Sequence, residues 1–345
     1  MRFVDWRTKR VWTAVALYGA TAFVCGNACS AQSTEDTQRS NVTTLRVTSQ
    51  LVTLDALVAD KKSGRLAQGL TAKDFLLSED GLPQEVRYFS QDKLPLSIVL
   101  LFDLTDSVRP QLKSLGAGAE EVLSHLKPED EVAVMTFDST ASLLQPFTTD
   151  RALAANSIRK AATMKSGSPA YIDESMYEAI DEGMKATLPN SRRVLVWLTD
   201  DAANRARGAD HLKDGKPLHT RDEATEKLDR SGEVVAGLIE RSAGGDVLIG
   251  LAKVAGGVSM GGVQRYAELT GGPVLKSDRK ETATQLAALL EEIRGRYTMG
   301  YVPSSEKSPG TLCHITLQLS SEAIKTHPEL QRGGFEVRTR STYYR

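Results

Sequence analysis

The chain has 345 residues, of which 41% are hydrophobic and 25% are charged, and its formal net charge is −1. This is the composition of a globular protein, and the length is sufficient for two domains. Because the charge is close to zero, it offers no electrostatic basis for binding nucleic acid or an acidic membrane surface, and neither is expected as a partner.

Residues 1–31 have the pattern of a secretory signal peptide. Four basic residues precede an apolar run over residues 11–24, and small residues follow at 28–31. The apolar run is short for a membrane span. We therefore predict an exported protein, periplasmic or extracellular, whose contact with a membrane is limited to an uncleaved N-terminus or a lipid on Cys25 or Cys29.

Residues 32–42 are polar and contain few apolar side chains, which predicts a disordered linker. Once residues 1–31 are removed, Cys313 is the only cysteine in the sequence. A single thiol cannot form an internal disulfide, so the exported chain is expected to depend on a large hydrophobic core.

Alternating apolar residues predict a small β-rich segment over residues 43–94. Turn residues at 60–64 (DKKSG) and at 79–81 (EDG) predict two hairpins within it.

Residues 95–295 alternate between strand and helix patterns. The run Leu96–Phe102 is nearly all apolar, which is typical of a strand buried on both faces. The alternation predicts βαβ units and therefore an α/β fold with a doubly wound, mostly parallel, Rossmann-like sheet. Residues 143–147 are expected to add an antiparallel edge strand. The predicted helices are 109–126, 150–164, 171–186, 220–230, 264–270 and 280–297.

The C-terminal residues 296–345 return to strand patterns, at 297–301, 315–319 and 335–339. We expect these strands to pair with those of residues 43–94. The parallel-sheet domain would then be inserted in a smaller β-rich domain built from both ends of the chain.

Oxygen-bearing side chains follow two of the predicted buried strands. Asp103, Thr105 and Ser107 come directly after the first strand, and Asp200 follows the strand at 193–199. Ligands of open α/β sheets lie at the carboxyl ends of the strands, and Mg²⁺ prefers oxygen donors. A helix N-cap or an Asx turn without metal is the alternative explanation of the first group.

The pattern Asp103-x-Thr105-x-Ser107, followed by Leu198-Thr199-Asp200, resembles the von Willebrand factor type A domain and its metal-ion-dependent adhesion site. The resemblance implies that Asp103, Thr105, Ser107 and Asp200 hold Mg²⁺, or Mn²⁺ or Ca²⁺ in its place. It also implies a partner protein whose exposed Asp or Glu carboxylate completes the metal's coordination. The function expected on this basis is binding without catalysis.

The sequence departs from the family at one metal-site position. Residues 166–173 resemble the family's Gly-Gly-Thr-Ala-Leu-Tyr-Asp loop, but Pro169 stands where the ligating Thr would be. Ser168 is the candidate to replace that hydroxyl from one position earlier. A domain that has lost its metal and acts as an interaction scaffold is the alternative.

The resemblance extends beyond the metal motif. Residues 51–90 are similar to the segment that precedes the type A domain in an acidobacterial-type family of bacterial VWFA-related domain proteins. Together the two resemblances cover most of the chain after residue 42.

One motif competes with the metal site. Gly257-x-Ser259-x-Gly261 matches the nucleophile elbow of serine hydrolases, which requires a strand ending at the first Gly and a helix directly after it. The nearest strand-like run, at 247–251, ends five residues too early. The histidines show no zinc-ligand spacing and no phosphate-binding glycine motif is present, so no other cofactor is expected.

Overall fold

A six-stranded sheet and two four-stranded sheets make up most of the fold. The structure is a computed structural model that describes residues 51–61, 64–91, 94–166, 168, 170–201, 212–213, 216–240, 262–277, 281–331 and 334–345. The predicted signal peptide, the linker at 32–42, Pro169 and Ser259 lie outside the described residues.

The strands and helices have the following bounds. The strands are β1 (Val52–Asp60), β2 (Phe75–Glu79), β3 (Leu82–Gln84), β4 (Val86–Ser90), β5 (Leu96–Asp103), β6 (Glu131–Phe137), β7 (Ala141–Thr148), β8 (Arg192–Thr199), β9 (Leu212–Lys213), β10 (Lys216–Pro217), β11 (Val234–Glu240), β12 (Val274–Ser277), β13 (Tyr297–Tyr301), β14 (Leu312–Leu319), β15 (Phe335–Thr339) and β16 (Thr342–Tyr344). The helices are α1 (Arg109–Ala117), α2 (Ala119–Ser124), α3 (Arg151–Thr163), α4 (Ile172–Gly183), α5 (Arg221–Ser231), α6 (Gly262–Thr270), α7 (Thr282–Arg294), α8 (Ser321–Thr326) and α9 (Pro328–Gln331).

The six-stranded sheet has the order β12-β11-β8-β5-β6-β7. Every neighbouring pair is parallel except β6 and β7, so the predicted antiparallel edge strand is confirmed. All residues of β5 are buried, because helices cover both faces of the sheet. Leu100 packs on the side of α1, α3 and α7, whereas Leu101 packs on the side of α4, α5 and α6. The sheet is therefore doubly wound, as predicted.

The structure corrects some predicted helix boundaries and adds short strands that were not predicted. The single helix expected over 109–126 is two helices that meet at Gly118, where a Cβ would lie 3.2 Å from the Cβ of Ala283 in α7. The last long helix ends at Arg294, three residues early, because Tyr297 begins β13 and is fully buried. The short strands β3, β9, β10, β12 and β16 were not predicted, since two to four residues give too little pattern to recognise.

The other two sheets combine strands from before residue 91 and after residue 296, in the orders β15-β1-β13-β4 and β16-β14-β2-β3. Leu54 lies opposite Met299, and Val58 lies opposite Val337, so the predicted pairing of the two chain ends is confirmed. Their shared core contains an aromatic cluster in which the rings of Phe75 and Tyr297 lie 5.6 Å apart. We refer to these two sheets as the β-sandwich. No helix in the described part of the chain is long and apolar enough to cross a membrane.

Candidate metal centre

The two predicted carboxylate strands are neighbours at the carboxyl edge of the parallel sheet. Phe102 of β5 lies opposite Leu198 of β8, so the next residues, Asp103 and Thr199, also lie side by side. Both are buried, and Thr199 Oγ1 donates a hydrogen bond of 2.8 Å to Asp103 Oδ2. The sequence pattern includes Thr199 but assigns it no part in the site, because a Thr at the end of a buried strand looks like any other strand residue.

The loop after β5 arranges its oxygens around Asp103. Asp103 Oδ1 accepts hydrogen bonds from the backbone N–H of Thr105, at 2.8 Å, and from Thr105 Oγ1, at 2.6 Å. Thr105 Oγ1 lies 3.2 Å from Ser107 Oγ. These side chains do not cap α1, whose N-cap residue is Val108 without a side-chain hydrogen bond. The loop is therefore an Asx turn that presents two hydroxyl groups side by side.

The hydrogen bonds that Asp103 accepts do not fully offset the burial of its negative charge. Burial raises its pKa most, hydrogen bonds from Thr105 and Thr199 lower it, and the charge of Asp200 raises it again, so that the pKa lies above its ordinary value. The repulsion shows that the Asp103 and Asp200 carboxylates are close enough to interact. A divalent cation between them would relieve this repulsion, which is the physical reason that paired carboxylates favour metal binding.

Asp200 and Asp201 have different roles although they are adjacent. Asp201 has a φ of 55°, and its carboxylate accepts hydrogen bonds from the backbone N–H groups of Val263, at 2.9 Å, and Gln264, at 3.4 Å. It thus binds the start of α6. Burial raises the pKa of Asp201 to about 6 against the effect of these hydrogen bonds, and the charge of Asp200 adds to the rise. Asp201 therefore fixes the backbone directly after Asp200 against the start of α6.

Ser168 lies in the third loop of this edge. It is exposed, and its backbone N–H donates to Ser166 Oγ at 3.0 Å. Ser166 Oγ in turn donates to Asp138 Oδ2 at 2.6 Å. Among the described residues, no hydrogen bond joins the Ser168 side chain to Asp103 or Thr105. The structure thus brings Asp103, Thr105 and Ser107 together. Ser168 instead hydrogen-bonds to Ser166, which in turn hydrogen-bonds to Asp138.

The donor set suits a hard cation. Asp103, Thr105, Ser107 and Asp200 offer carboxylate and hydroxyl oxygens and no nitrogen or sulfur, which matches the ligands of Mg²⁺. Both Asp103 oxygens already accept hydrogen bonds. Thr105 Oγ1 donates to Asp103 and so accepts in its contact with Ser107 Oγ, and each hydroxyl keeps a lone pair for a metal. The chemistry of these residues therefore fits the group that the sequence pattern implied.

A second acidic group in the β-sandwich is already neutralised. Ligand atoms of Glu79, Asp80 and Cys313 lie within 4.8 Å of one another. Lys307 forms an ion pair with Asp80, and its Nζ lies 3.4 Å from both Glu79 Oε1 and Cys313 Sγ. The ammonium group thus occupies the position that a cation would take.

Comparison with known proteins gives one family match. The von Willebrand factor type A domain family matches residues 98–203, and no curated protein matches the chain. Among solved structures, BatB from Bacteroides thetaiotaomicron is 14% identical, covering 57% of this chain and 98% of its own, with a TM-score of 0.40. A von Willebrand factor type A protein from Catenulispora acidiphila is 10% identical, covering 85% and 73%, with a TM-score of 0.43. The corresponding domain of the type V pili tip protein Mfa5 from Porphyromonas gingivalis is 11% identical, covering 62% and 98%, with a TM-score of 0.38.

Proposed function

We propose, from the premise that residues 98–203 are a von Willebrand factor type A domain, that this chain is a non-catalytic protein-binding module with a metal-ion-dependent adhesion site. Asp103, Thr105, Ser107 and Asp200 would hold a divalent cation, with Mg²⁺ favoured. The observation that supports this most is the Asx turn after β5, which aligns the Thr105 and Ser107 hydroxyls at the sheet edge next to Asp200.

Each residue has a distinct part in this proposal. Thr105 and Ser107 would supply direct hydroxyl ligands, because their oxygens lie adjacent on one loop. Asp103 would orient Thr105 and supply charge, directly or through water, because it is buried and already accepts hydrogen bonds at both oxygens. Asp200 would supply the second negative charge. When bound, Mg²⁺ would offer an open coordination position to a carboxylate of the partner protein.

A binding role suits this edge better than turnover. Metal-assisted catalysis requires a nucleophile or a general base placed beside the reacting atom. Within the described residues, no histidine or cysteine hydrogen-bonds to Asp103, Thr105 or Ser107. The carboxylates at this edge are engaged in positioning other groups: Asp103 orients Thr105, and Asp201 binds the start of α6.

The test is calorimetric titration of Mg²⁺ and Mn²⁺ into the metal-stripped chain. Asp106→Asn is the matched control, because Asp106 lies in the same loop but is 86% exposed and pairs with Arg109. We expect saturable binding by the wild type and by Asp106→Asn, and loss of binding in Asp200→Asn. Absence of binding at millimolar metal, or unchanged binding in Asp200→Asn, would favour the metal-free scaffold instead. In the expected case, EDTA should release a bound partner and added Mg²⁺ should restore it.

Export is a separate part of the proposal, based on the signal-peptide pattern of residues 1–31. We propose that the exported chain comprises a type A domain over residues 95–295, flanked by the β-rich segments 43–94 and 296–345. Mass spectrometry of the protein recovered from the periplasm or medium should show an N-terminus near residue 32. A chain recovered with residues 1–31 intact would indicate an anchored form.

A further inference from the structure

A cavity of about 540 Å³ lies at the opposite, amino edge of the parallel sheet, where this edge meets the β-sandwich. The sheet contributes residues at the starts of β8 and β11, and the β-sandwich contributes β1, β4 and the segment after β15. The residues that matter for its chemistry are Thr53, Tyr88, Leu94, Arg193, Glu233 and Arg340.

The wall of this cavity contains one fully satisfied ion pair. Arg192 donates from Nε to Asp55 Oδ2 at 2.8 Å and from Nη2 to Asp55 Oδ1 at 3.1 Å. Burial alone would raise the pKa of Asp55, but the charge and hydrogen bonds of Arg192, together with Arg296 and Thr298, hold it below its ordinary value. The negative charge of Asp55 is therefore balanced by Arg192 and Arg296.

Two further arginines in the wall hydrogen-bond to backbone carbonyl groups, and the charge of the Asp229 carboxylate also acts on Arg340. Arg193 Nη2 donates to the carbonyl oxygen of Ser231 at 2.7 Å, and Arg340 Nη2 donates to that of Asp229 at 2.8 Å. Both guanidinium groups border the space above Gly232. A Cβ on that glycine would lie 3.5 Å from Arg340 Nη1 and 4.0 Å from Arg193 Nη2. The two cations thus converge on one open position.

The carboxyl group of Glu233 does not neutralise them. Glu233 is 1% exposed, and neither of its oxygens has a hydrogen-bond partner within the described structure. Its carboxyl packs against Gly183, where a Cβ would lie 2.2 Å from Oε1. Burial raises the pKa of Glu233 to about 8 despite the nearby charge of Arg193. The side chain is therefore mostly protonated at neutral pH, and the cavity keeps an excess of positive charge.

The cavity also has an apolar wall. Leu51 and Tyr88 line it and are each 44% exposed, and Leu94 lies beside them. Exposed apolar side chains next to convergent polar groups are the usual composition of a small-molecule site. Guanidinium groups are suited to carboxylate and phosphate oxygens, which accept two hydrogen bonds at once.

We propose that this cavity binds a small amphiphilic anion, whose carboxylate or phosphate lies between Arg193 and Arg340 and whose apolar part lies against Leu51, Tyr88 and Leu94. This site is independent of the metal centre, because the two lie at opposite edges of the sheet. Its failure would leave the proposed adhesion function untouched.

The test is calorimetric titration of the full chain with octanoate and with phenyl phosphate, beside octanamide and inorganic phosphate. Saturable binding of octanoate would show that the cavity accepts a carboxylate. Saturable binding of phenyl phosphate would show that it accepts a phosphate. Loss of a charge-assisted hydrogen bond in Arg193→Gln or Arg340→Gln should weaken that binding by about tenfold or more. Arg159→Gln, on the surface of α3, should leave it unchanged.

Thr53→Glu provides a second variant that leaves the arginines intact. Thr53 is exposed and lines the cavity, so the added negative charge should repel the anion without disturbing the core. The proposal is overturned if neither amphiphile binds at millimolar concentration, or if the arginine variants bind as the wild type does. Equal affinity for octanamide and octanoate would exclude the anion site, and equal affinity for inorganic and phenyl phosphate would exclude the apolar wall.

Discussion

The two edges of the parallel sheet carry different sets of charged side chains, because its parallel strands all run in the same direction. In a parallel sheet all strands start at one edge and end at the other. The carboxyl edge collects Asp103, Asp200 and Asp201. The amino edge carries both signs, with Arg192 and Arg193 at the start of β8 and the buried Glu131 at the start of β6. The carboxyl edge is held together by hydrogen bonds among its own loops. The amino edge is held against the β-sandwich by an ion pair.

The two proposed sites make opposite use of charge. The carboxylates of Asp103 and Asp200 repel each other, which favours a cation. At the other edge, Arg193 and Arg340 face one open position, which favours an anion. The β-sandwich covers the amino edge and leaves the carboxyl edge to its own loops. We therefore expect a large partner at the proposed metal centre and a small ligand at the cavity.

Removing Asp55 should have the largest effect on stability. Asp55→Ala leaves the buried guanidinium of Arg192 without its carboxylate, and breaking a buried pair by removing one partner costs about 3 to 5 kcal/mol. Urea unfolding followed by circular dichroism measures this difference.

The control for Asp55 is an exposed ion pair in the same β-sandwich. Glu85 and Arg87 lie 2.8 Å apart with side chains 70% and 62% exposed, so Glu85→Ala should change stability by about 1 kcal/mol or less. Equal effects of the two substitutions would show that Asp55 does not fasten the amino edge to the β-sandwich.

Glu233 should make the stability of the fold depend on pH. Because burial raises its pKa to about 8, the folded chain holds a proton that the unfolded chain releases near the ordinary value of 4.5. Its contribution is therefore fully present below the unfolded pKa and is lost as pH rises through about 8. Arg193, Asp181 and Lys227 are the charged groups that act on it.

The measurement is urea unfolding of the wild type and of Glu233→Gln across this interval. From about pH 6 to about pH 8.5 the wild type should lose on the order of 3 kcal/mol relative to the variant, at about 1.4 kcal/mol per unit. Parallel pH profiles for the two proteins would contradict the protonated state of Glu233 and remove one argument for the positive charge of the cavity.

The carboxyl edge could be predicted from sequence because its residues follow strands directly. Asp103, Thr105 and Ser107 occupy one loop, and a run of buried apolar residues marks the strand before them. The helix predicted over 220–230 is α5, which opens with a capping box in which Thr220 and Glu223 hydrogen-bond each other. Local patterns therefore identified local structure.

The amino edge could not be predicted in this way. Arg192 and Asp55 are 137 positions apart, and a basic residue before a strand usually indicates an exposed turn. Arg340 reaches Asp229 from the last strands of the chain, 111 positions away. Such contacts depend on how the β-sandwich packs on the sheet, and nothing in the local sequence specifies that packing.

Thr199 gives a smaller and sharper test of the carboxyl edge. Its hydroxyl donates to Asp103 Oδ2 at 2.8 Å and accepts from the backbone N–H of Asp201 at 3.0 Å. Thr199→Val keeps the shape but removes this partner from the buried Asp103 carboxylate and from the half-buried N–H of Asp201, which costs about 1 to 3 kcal/mol. Thr136 is the matched control, since it is equally buried in β6 and its hydroxyl has no partner within the described structure.

Thr136→Val should be neutral or slightly stabilising, because replacing a buried hydroxyl that has no partner removes its desolvation penalty. The contrast between the two variants, measured by thermal unfolding without metal, isolates the hydrogen bonds of Thr199 from the effect of Thr→Val itself. If both variants unfold at the wild-type temperature, the hydrogen bonds around Asp103 do not hold this edge together. The Asx turn would then depend on a bound cation for its order, and only a titration with metal would reveal its stability.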